Sequence, residues 1–212
     1  GKFWLIRWLL SSMIKKRMNK MDIKGKKIGF AVTGSFCTLN RALNAAQSLK
    51  KAGAELYPIF SDSVWQMNTK FGLAAEWEQR FSSLCGREVI KTIVEAEPIG
   101  PGNFLDIMAV VPCSGNTLSK MAHGITDGPV LMAVKAHLRN QKPVVLAVST
   151  NDGLGRSMQN IATLMGSKNI YMVPFSQDDP VKKPYSLVAD MEATKATVES
   201  ALDGIQIQPI LK

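Results

Sequence analysis

The chain is poor in the residues that build metal and disulfide sites: its 212 residues include three cysteines and two histidines. Cys37, Cys85 and Cys113 are odd in number and follow no C-x-x-C or zinc spacing, which argues against a disulfide framework and suits a reducing, cytoplasmic compartment. His123 and His137 are too few and too far apart for a metal site, and each reads as an ordinary core or partly exposed histidine. No apolar run reaches the roughly 20 residues that a membrane-spanning helix needs. No G-x-G-x-x-G follows a strand, so the dinucleotide fingerprint is missing. Internal repeats and low-complexity tracts are missing as well.

Acidic residues are scarce at the start of the chain. Lys2, Arg7, Lys15, Lys16, Arg17 and Lys20 fall in the first twenty residues without one Asp or Glu, and they supply most of the formal charge of +9. From Met21 onward the balance is 20 Lys/Arg against 17 Asp/Glu, so the basic pI does not describe a nucleic-acid-binding face. Residues 1–20 join an aromatic, apolar start, interrupted by Arg7, to a basic end. A secretory signal would place its charges before the apolar stretch and a small-residue cleavage site after it, and neither holds. We read 1–20 as an N-terminal extension outside the fold, with an interfacial amphipathic helix as the alternative. Residues 21–212 have the length of one α/β domain.

What the sequence does have is a central stretch, residues 104–117, reading FLDIMAVVPCSGNT. Leu105, Ile107, Met108, Ala109, Val110 and Val111 form a nearly unbroken apolar run ending at Pro112, as expected of a strand covered on both faces. Ser114, Gly115, Asn116 and Thr117 then read as a tight turn, and Leu118, Met121, Ala122 and Ile125 recur at helical spacing, so a helix is expected from Leu118. Cys113 reads as a small buried hydrophobe, since no histidine lies near it in sequence to activate the thiol.

The same pattern recurs along the chain. A strand over 27–33 meets Gly34-Ser35 and then a helix up to Gly53. Another over 55–60 meets Ser61, Asp62 and Ser63, followed by a helix over 63–85 with Trp65, Phe71, Trp77 and Phe81 on its apolar face. Residues 90–96 read as a short strand, and Pro98, Gly100, Pro101 and Gly102 as a break. A buried strand over 143–149 ends in Ser149, Thr150, Asn151 and Asp152. Helices over 130–139, 158–165 and 191–202 and a strand over 170–173 complete the alternation. The fold class is therefore α/β with a mainly parallel sheet of five or six strands. Strand ends at Thr33, Phe60, Val111 and Val148 are expected to converge on one sheet edge. Short hydroxyl and amide side chains there, with free N–H groups at helix starts, suit a phosphate-bearing cofactor more than a metal. The pocket is expected to carry no strong charge, with Asp62, Asp106 and Asp152 as its nearby carboxylates.

TGS at 33–35, PCSGNT at 112–117 and LSKMAHGITDGPVLMAVKAHL at 118–138 resemble the flavoprotein family that includes the phosphopantothenoylcysteine decarboxylases and the flavin prenyltransferases. The resemblance covers essentially all of 21–212. It implies a Rossmann-like three-layer α/β/α sandwich and an FMN site in which Gly34, Ser35, Ser61, Ser114, Asn116 and Thr117 stand where relatives hold the phosphate, ribityl chain or ring. It also implies a homo-oligomer, a trimer or a multiple of trimers, and the part of one subunit in an oxidoreductase. A partner subunit would then share the small-molecule substrate and bring NADP. Neither nucleic acid nor membrane is implied.

Two departures set the chain apart from those relatives. The decarboxylases carry a catalytic histidine between the second strand and the central motif, and no histidine occurs in 61–113. The prenyltransferases place Arg-Glu after the next strand, where this chain has Ser149-Thr150. Three roles stay open on the sequence: a flavin-dependent oxidoreductase subunit, a non-catalytic subunit that keeps the fold and the flavin or anion pocket, or another flavin-dependent enzyme of the family.

Overall fold

The computed structural model describes residues 22–212, and the expectation for 1–20 lies outside the described residues. The core is built on β1 (Lys27–Val32), which is buried from its second residue onward. Strands covered on both faces can be apolar throughout, and β1 pairs in parallel with β2 (Glu55–Phe60) on one side and β3 (Ile107–Ser114) on the other. Beyond β3 lies β4 (Val144–Thr150), also parallel. Strand β5 (Ile170–Met172) pairs in parallel with the first half of β4. Two short strands, β6 (Phe175–Ser176) and β7 (Leu187–Ala189), run antiparallel to each other, and β7 runs antiparallel to the last two residues of β4. The expected five or six strands are thus seven, mostly parallel, in the order β2-β1-β3-β4-β7-β6 with β5 beside β4.

This order reverses direction between β1 and β3. With right-handed crossovers, the helix leaving β1 covers one face of the sheet and the helices leaving β3 cover the other. That first helix, α1 (Leu39–Lys51), turns Leu39, Ala42, Leu43, Ala46 and Leu49 inward. It packs against α3 (Ala74–Cys85) and the last helix, α9 (Thr194–Leu202). On the opposite face α7 (Pro129–Arg139) contacts α4 (Ile93–Ala96), α5 (Ile99–Gly102) and α6 (Gly115–Ala122), and α6 lies against α8 (Ser157–Met165).

Three elements differ from the sequence expectation. The helix over 63–85 is two helices, α2 (Asp62–Gln66) and α3. Between them Thr69 and Gly72 bond backbone to backbone, and the Asn68 side chain accepts the N–H of Ala74 at 2.9 Å, restarting the helix there. Residues 90–96 do not form a strand. Ile90 makes one isolated bridge to Ile59, and Thr92 with Glu95 then closes a capping box that starts α4. The Pro/Gly stretch after it folds into the single turn α5 rather than an irregular break.

Candidate functional site

Hydroxyl groups tie the C-terminal ends of the parallel strands together. Thr33, buried just past β1, donates through Oγ1 to the carbonyl of Pro112 at 2.8 Å and accepts the N–H of Ser114 at 2.8 Å. These bonds fall where the pairing of β3 with β4 shifts register between Val110 and Cys113, a place that suits Pro112, which has no N–H to give the sheet. Strand β3 therefore runs on to Ser114 instead of ending at Val111, and the expected turn over 114–117 is a strand end and a helix start. Ser114 is the N-cap of α6: its Oγ accepts the N–H of Thr117 at 3.3 Å and donates to Thr117 Oγ1 at 3.1 Å. Gly115, Asn116 and Thr117 form the first helical turn, so the helix begins three residues earlier than the apolar spacing suggests.

Over this edge lies a cavity of about 1120 Å3, somewhat above the ~300–1,000 Å3 of most small-molecule sites. Gly34, Ser35, Ser114 and Asn116 line it together with Ser63, Ser149 and Thr150. Two glycines keep its floor open. A Cβ on Gly34 would stand 2.6 Å from Ser63 Oγ, and one on Gly115 would stand 2.5 Å from Thr150 Oγ1. No side chain larger than hydrogen fits at either position without displacing a hydroxyl of the site.

The expectation of a pocket without strong charge is corrected by the structure. Arg41, Lys70, Arg156 and Lys183 all reach the lining, each from a different segment of the chain. Asp152 and Asp178 line it too. The carboxyl of Asp152 accepts Thr150 Oγ1 at 2.5 Å and Ser157 Oγ at 2.7 Å, and these two hydroxyls hold it below the usual carboxylate range. Asp178 accepts Ser186 and pairs with Lys183, which lowers it likewise. Lys70 and Arg156 stay without a carboxylate partner among the described residues. The cavity is thus a hydroxyl-lined floor with a cationic rim.

Of the six residues the sequence singles out, Gly34, Ser35, Ser114 and Asn116 meet in the cavity. Ser61 stands outside the lining, half-buried, with its hydroxyl 3.1 Å from that of Ser63. Thr117 is buried beneath Ser114 rather than presented to the cavity. Of the three carboxylates, Asp152 alone is present. Asp62 accepts the Trp65 indole N–H at 3.4 Å, while Asp106 accepts the N–H of Lys27 at 2.8 Å at the opposite, N-terminal edge of the sheet. Cys113 is fully buried, and burial pushes its thiol up to about 12, in keeping with a structural role. His137 is buried and His123 is exposed beside α6, and neither lines the large cavity. Sequence reasoning missed Arg41, Lys70, Arg156 and Lys183, because no local spacing relates them. Among the described residues no cluster of metal-ligating side chains occurs, and no helix is long and apolar enough to cross a membrane.

The residues fit FMN: neutral hydroxyl and amide donors, a glycine-lined floor, a helix start with unpaired N–H groups and cations at the rim match a phosphate, a polyol and a flat ring. Comparison with known proteins agrees. The sequence profile described as Flavoprotein matches residues 16–205. The B subunit of dipicolinate synthase of Bacillus subtilis (strain 168) is 49% identical over 190 residues, covering 90% of this chain and 95% of that protein. The crystal structure of the dipicolinate synthase B subunit from Bacillus halodurans C superposes with a TM-score of 0.83 at 46% identity, covering 91% of this chain and 98% of that one. AnUbiX (PadA1), solved in complex with FMN and dimethylallyl pyrophosphate, shares the fold at a TM-score of 0.58 and 20% identity, over 71% of this chain and 78% of that one.

Proposed function

This chain belongs to the flavoprotein family, and from that premise we propose that it acts as the B subunit of a dipicolinate synthase, holding FMN in the large cavity. With an A subunit as partner it oxidises a dihydrodipicolinate-type precursor to dipicolinate in a sporulating cell. The observation that carries this reading is the similarity to the Bacillus subtilis B subunit over nearly the full length of both chains.

Converting a dihydropyridine ring to a pyridine removes a hydride and a proton. Bound FMN supplies the two-electron acceptor that no side chain can provide, with NADP on the partner subunit as the alternative acceptor. Ser35, Ser114 and Asn116, with the start of α6, offer neutral donors for the phosphate and ring edge, which avoids the cost of burying a cation. Gly34 and Gly115 leave room for a flat group to approach the backbone. Arg156 and Lys70 attract an anionic substrate to the rim.

A supporting, non-catalytic role is the second reading, and one observation favours it: no histidine lines the large cavity among the described residues. Visible absorbance of the purified chain and dipicolinate formation by the A subunit, with and without this chain, separate the two. Flavin colour together with product formation that requires an intact Asn116 supports the catalytic reading. Product formation by the A subunit alone at an unchanged rate overturns it. The exposed Met67, Phe71 and Leu73 beside the cavity give a homo-oligomer, a trimer or a multiple of trimers, an apolar surface to cover. Light scattering that stays at the monomer mass across concentrations counts against that assembly.

A further inference from the structure

Ser119, Arg156 and Asn160 line the large cavity and also a neighbouring groove of about 530 Å3, which His123, Gly155 and Gln159 complete. The groove runs between α6 and α8. Ser119 and His123 are four residues apart along α6 and its C-cap, and Arg156 and Asn160 are four apart at the start of α8, so two helical i, i+4 pairs face each other across it.

The chemistry of this groove has one sign. It contains a guanidinium, an imidazole, two side-chain amides and a hydroxyl, and no carboxylate. Arg156 has no ion-pair or hydrogen-bond partner among the described residues, and the side chains of Ser119, Gln159 and Asn160 are likewise uncommitted. Both acids of the large cavity are already engaged, Asp152 by Thr150 and Ser157 and Asp178 by Ser186 and Lys183. His123 is oriented: its Nδ1 lies 2.8 Å from the carbonyl of Ser119. A carbonyl only accepts, so Nδ1 carries the hydrogen and Nε2 is left free to meet a ligand. A free guanidinium flanked by amide and hydroxyl donors matches the planar two-oxygen edge of a carboxylate.

We propose that this groove is the carboxylate-binding subsite of the protein, with Arg156 as its anchoring cation, and that it holds a small planar dicarboxylate with the ring at the mouth of the large cavity. The proposal rests on the function proposed above, which supplies the dicarboxylate. Because three residues belong to both spaces, a ring held by one carboxylate in the groove lies next to the hydroxyl-lined floor without a further conformational step.

The test titrates the purified full-length chain, at measured flavin content, with pyridine-2,6-dicarboxylate, followed by calorimetry and by the proton NMR signals of the imidazoles. The chain has two histidines, and His137 is 1% exposed, so the rings act as one reporter and one internal control. Saturable binding that moves the His123 signal and leaves that of His137 in place is expected. Arg156→Gln should weaken binding about tenfold or more and abolish the His123 response. Arg156→Lys, which keeps the charge but loses the fork, should fall between. Lys51→Gln, an equal loss of charge at the end of α1, should change neither. Circular dichroism and melting checks confirm that each variant folds. Equal affinity of the unsubstituted chain and Arg156→Gln, or a His123 signal unmoved at saturation, overturns the subsite. Dipicolinate formation with the A subunit, measured on the same preparations, then shows whether the wider reading stands: product formed with a silent groove removes only the subsite, and no product from the unsubstituted pair removes both.

Discussion

The hydroxyl of Ser35 lies 2.7 Å from that of Ser149, so a single hydrogen bond joins the turn after β1 to β4 across the end of β3. The two partners differ in what they can do without it. Both border the cavity, but Ser149 is 4% exposed whereas Ser35 is half-buried. Ser149→Ala leaves a serine that water can reach and should cost about 0.5–1.5 kcal/mol. Ser35→Ala strands a buried hydroxyl and should cost more, about 1–3 kcal/mol. Urea unfolding at neutral pH measures both, and the reverse order would show that the pair is not the tie the geometry describes.

A second prediction concerns acid. The ring of His137 is buried, its Nε2 donates to the carbonyl of Pro143 at 3.1 Å, and burial, aided by the Lys142 ammonium, pushes its pKa down to about 4. Below about pH 6.5 the unfolded chain takes up a proton that the folded chain refuses. Stability should therefore fall as pH drops from about 6.5 to about 4, by up to ~3 kcal/mol, and be fully present above that window. His137→Phe removes the proton acceptor. Its stability at neutral pH should be lower, because the Pro143 carbonyl loses its donor, but its slope against pH over the same window should be flatter. An unchanged slope would assign the acid sensitivity to other groups.

The three thiols should separate cleanly. Cys85 and Cys113 are buried, and burial pushes them up to about 11 and about 12, while Cys37 is exposed at the cavity lining. Thiolates are the reactive form, so a thiol reagent at neutral pH should modify one cysteine quickly and the others only after denaturation. FMN in the cavity should slow the fast reaction. Equal rates with and without bound flavin would place the cofactor away from Cys37.

Much of this architecture is legible in the sequence because buried parallel strands announce themselves as apolar runs. The four such strands β1 to β4 follow from those runs, and the helices α1, α7, α8 and α9 from the spacing of their apolar residues. Strands β6 and β7 do not, since two and three residues are too short to show a period. The end of β3 is hidden by Pro112, which reads as a stop. The structure carries the strand past it because Thr33 satisfies the Pro112 carbonyl and the Ser114 N–H where the register with β4 shifts. For the site, the small polar residues after each strand are readable as one edge, but its cations are not. Arg41, Lys70, Arg156 and Lys183 look like ordinary solvated charges until the fold brings them to one rim.

The last prediction turns on two neighbours that the sequence treats alike and the structure divides. Asn116 is exposed in the first turn of α6 and lines the cavity, and its side chain has no hydrogen-bond partner among the described residues. Thr117 is 6% exposed, outside the lining, and its Oγ1 accepts from Ser114, whose Oγ in turn caps the Thr117 N–H. Asn116→Leu should therefore leave the melting temperature nearly unchanged and weaken FMN binding by about one to two powers of ten, the worth of a hydrogen bond to a charged or strongly polar group. Thr117→Val keeps the shape but removes the acceptor from the Ser114 hydroxyl, which can still cap the helix and turn its hydrogen toward the cavity. Its cost should appear in stability, about 0.5–1.5 kcal/mol, with a much smaller change in FMN affinity. Melting curves and flavin titrations on both variants make the comparison direct. If Thr117→Val loses the flavin at unchanged stability while Asn116→Leu binds it normally, the cofactor does not lie against the face of α6 that lines the cavity.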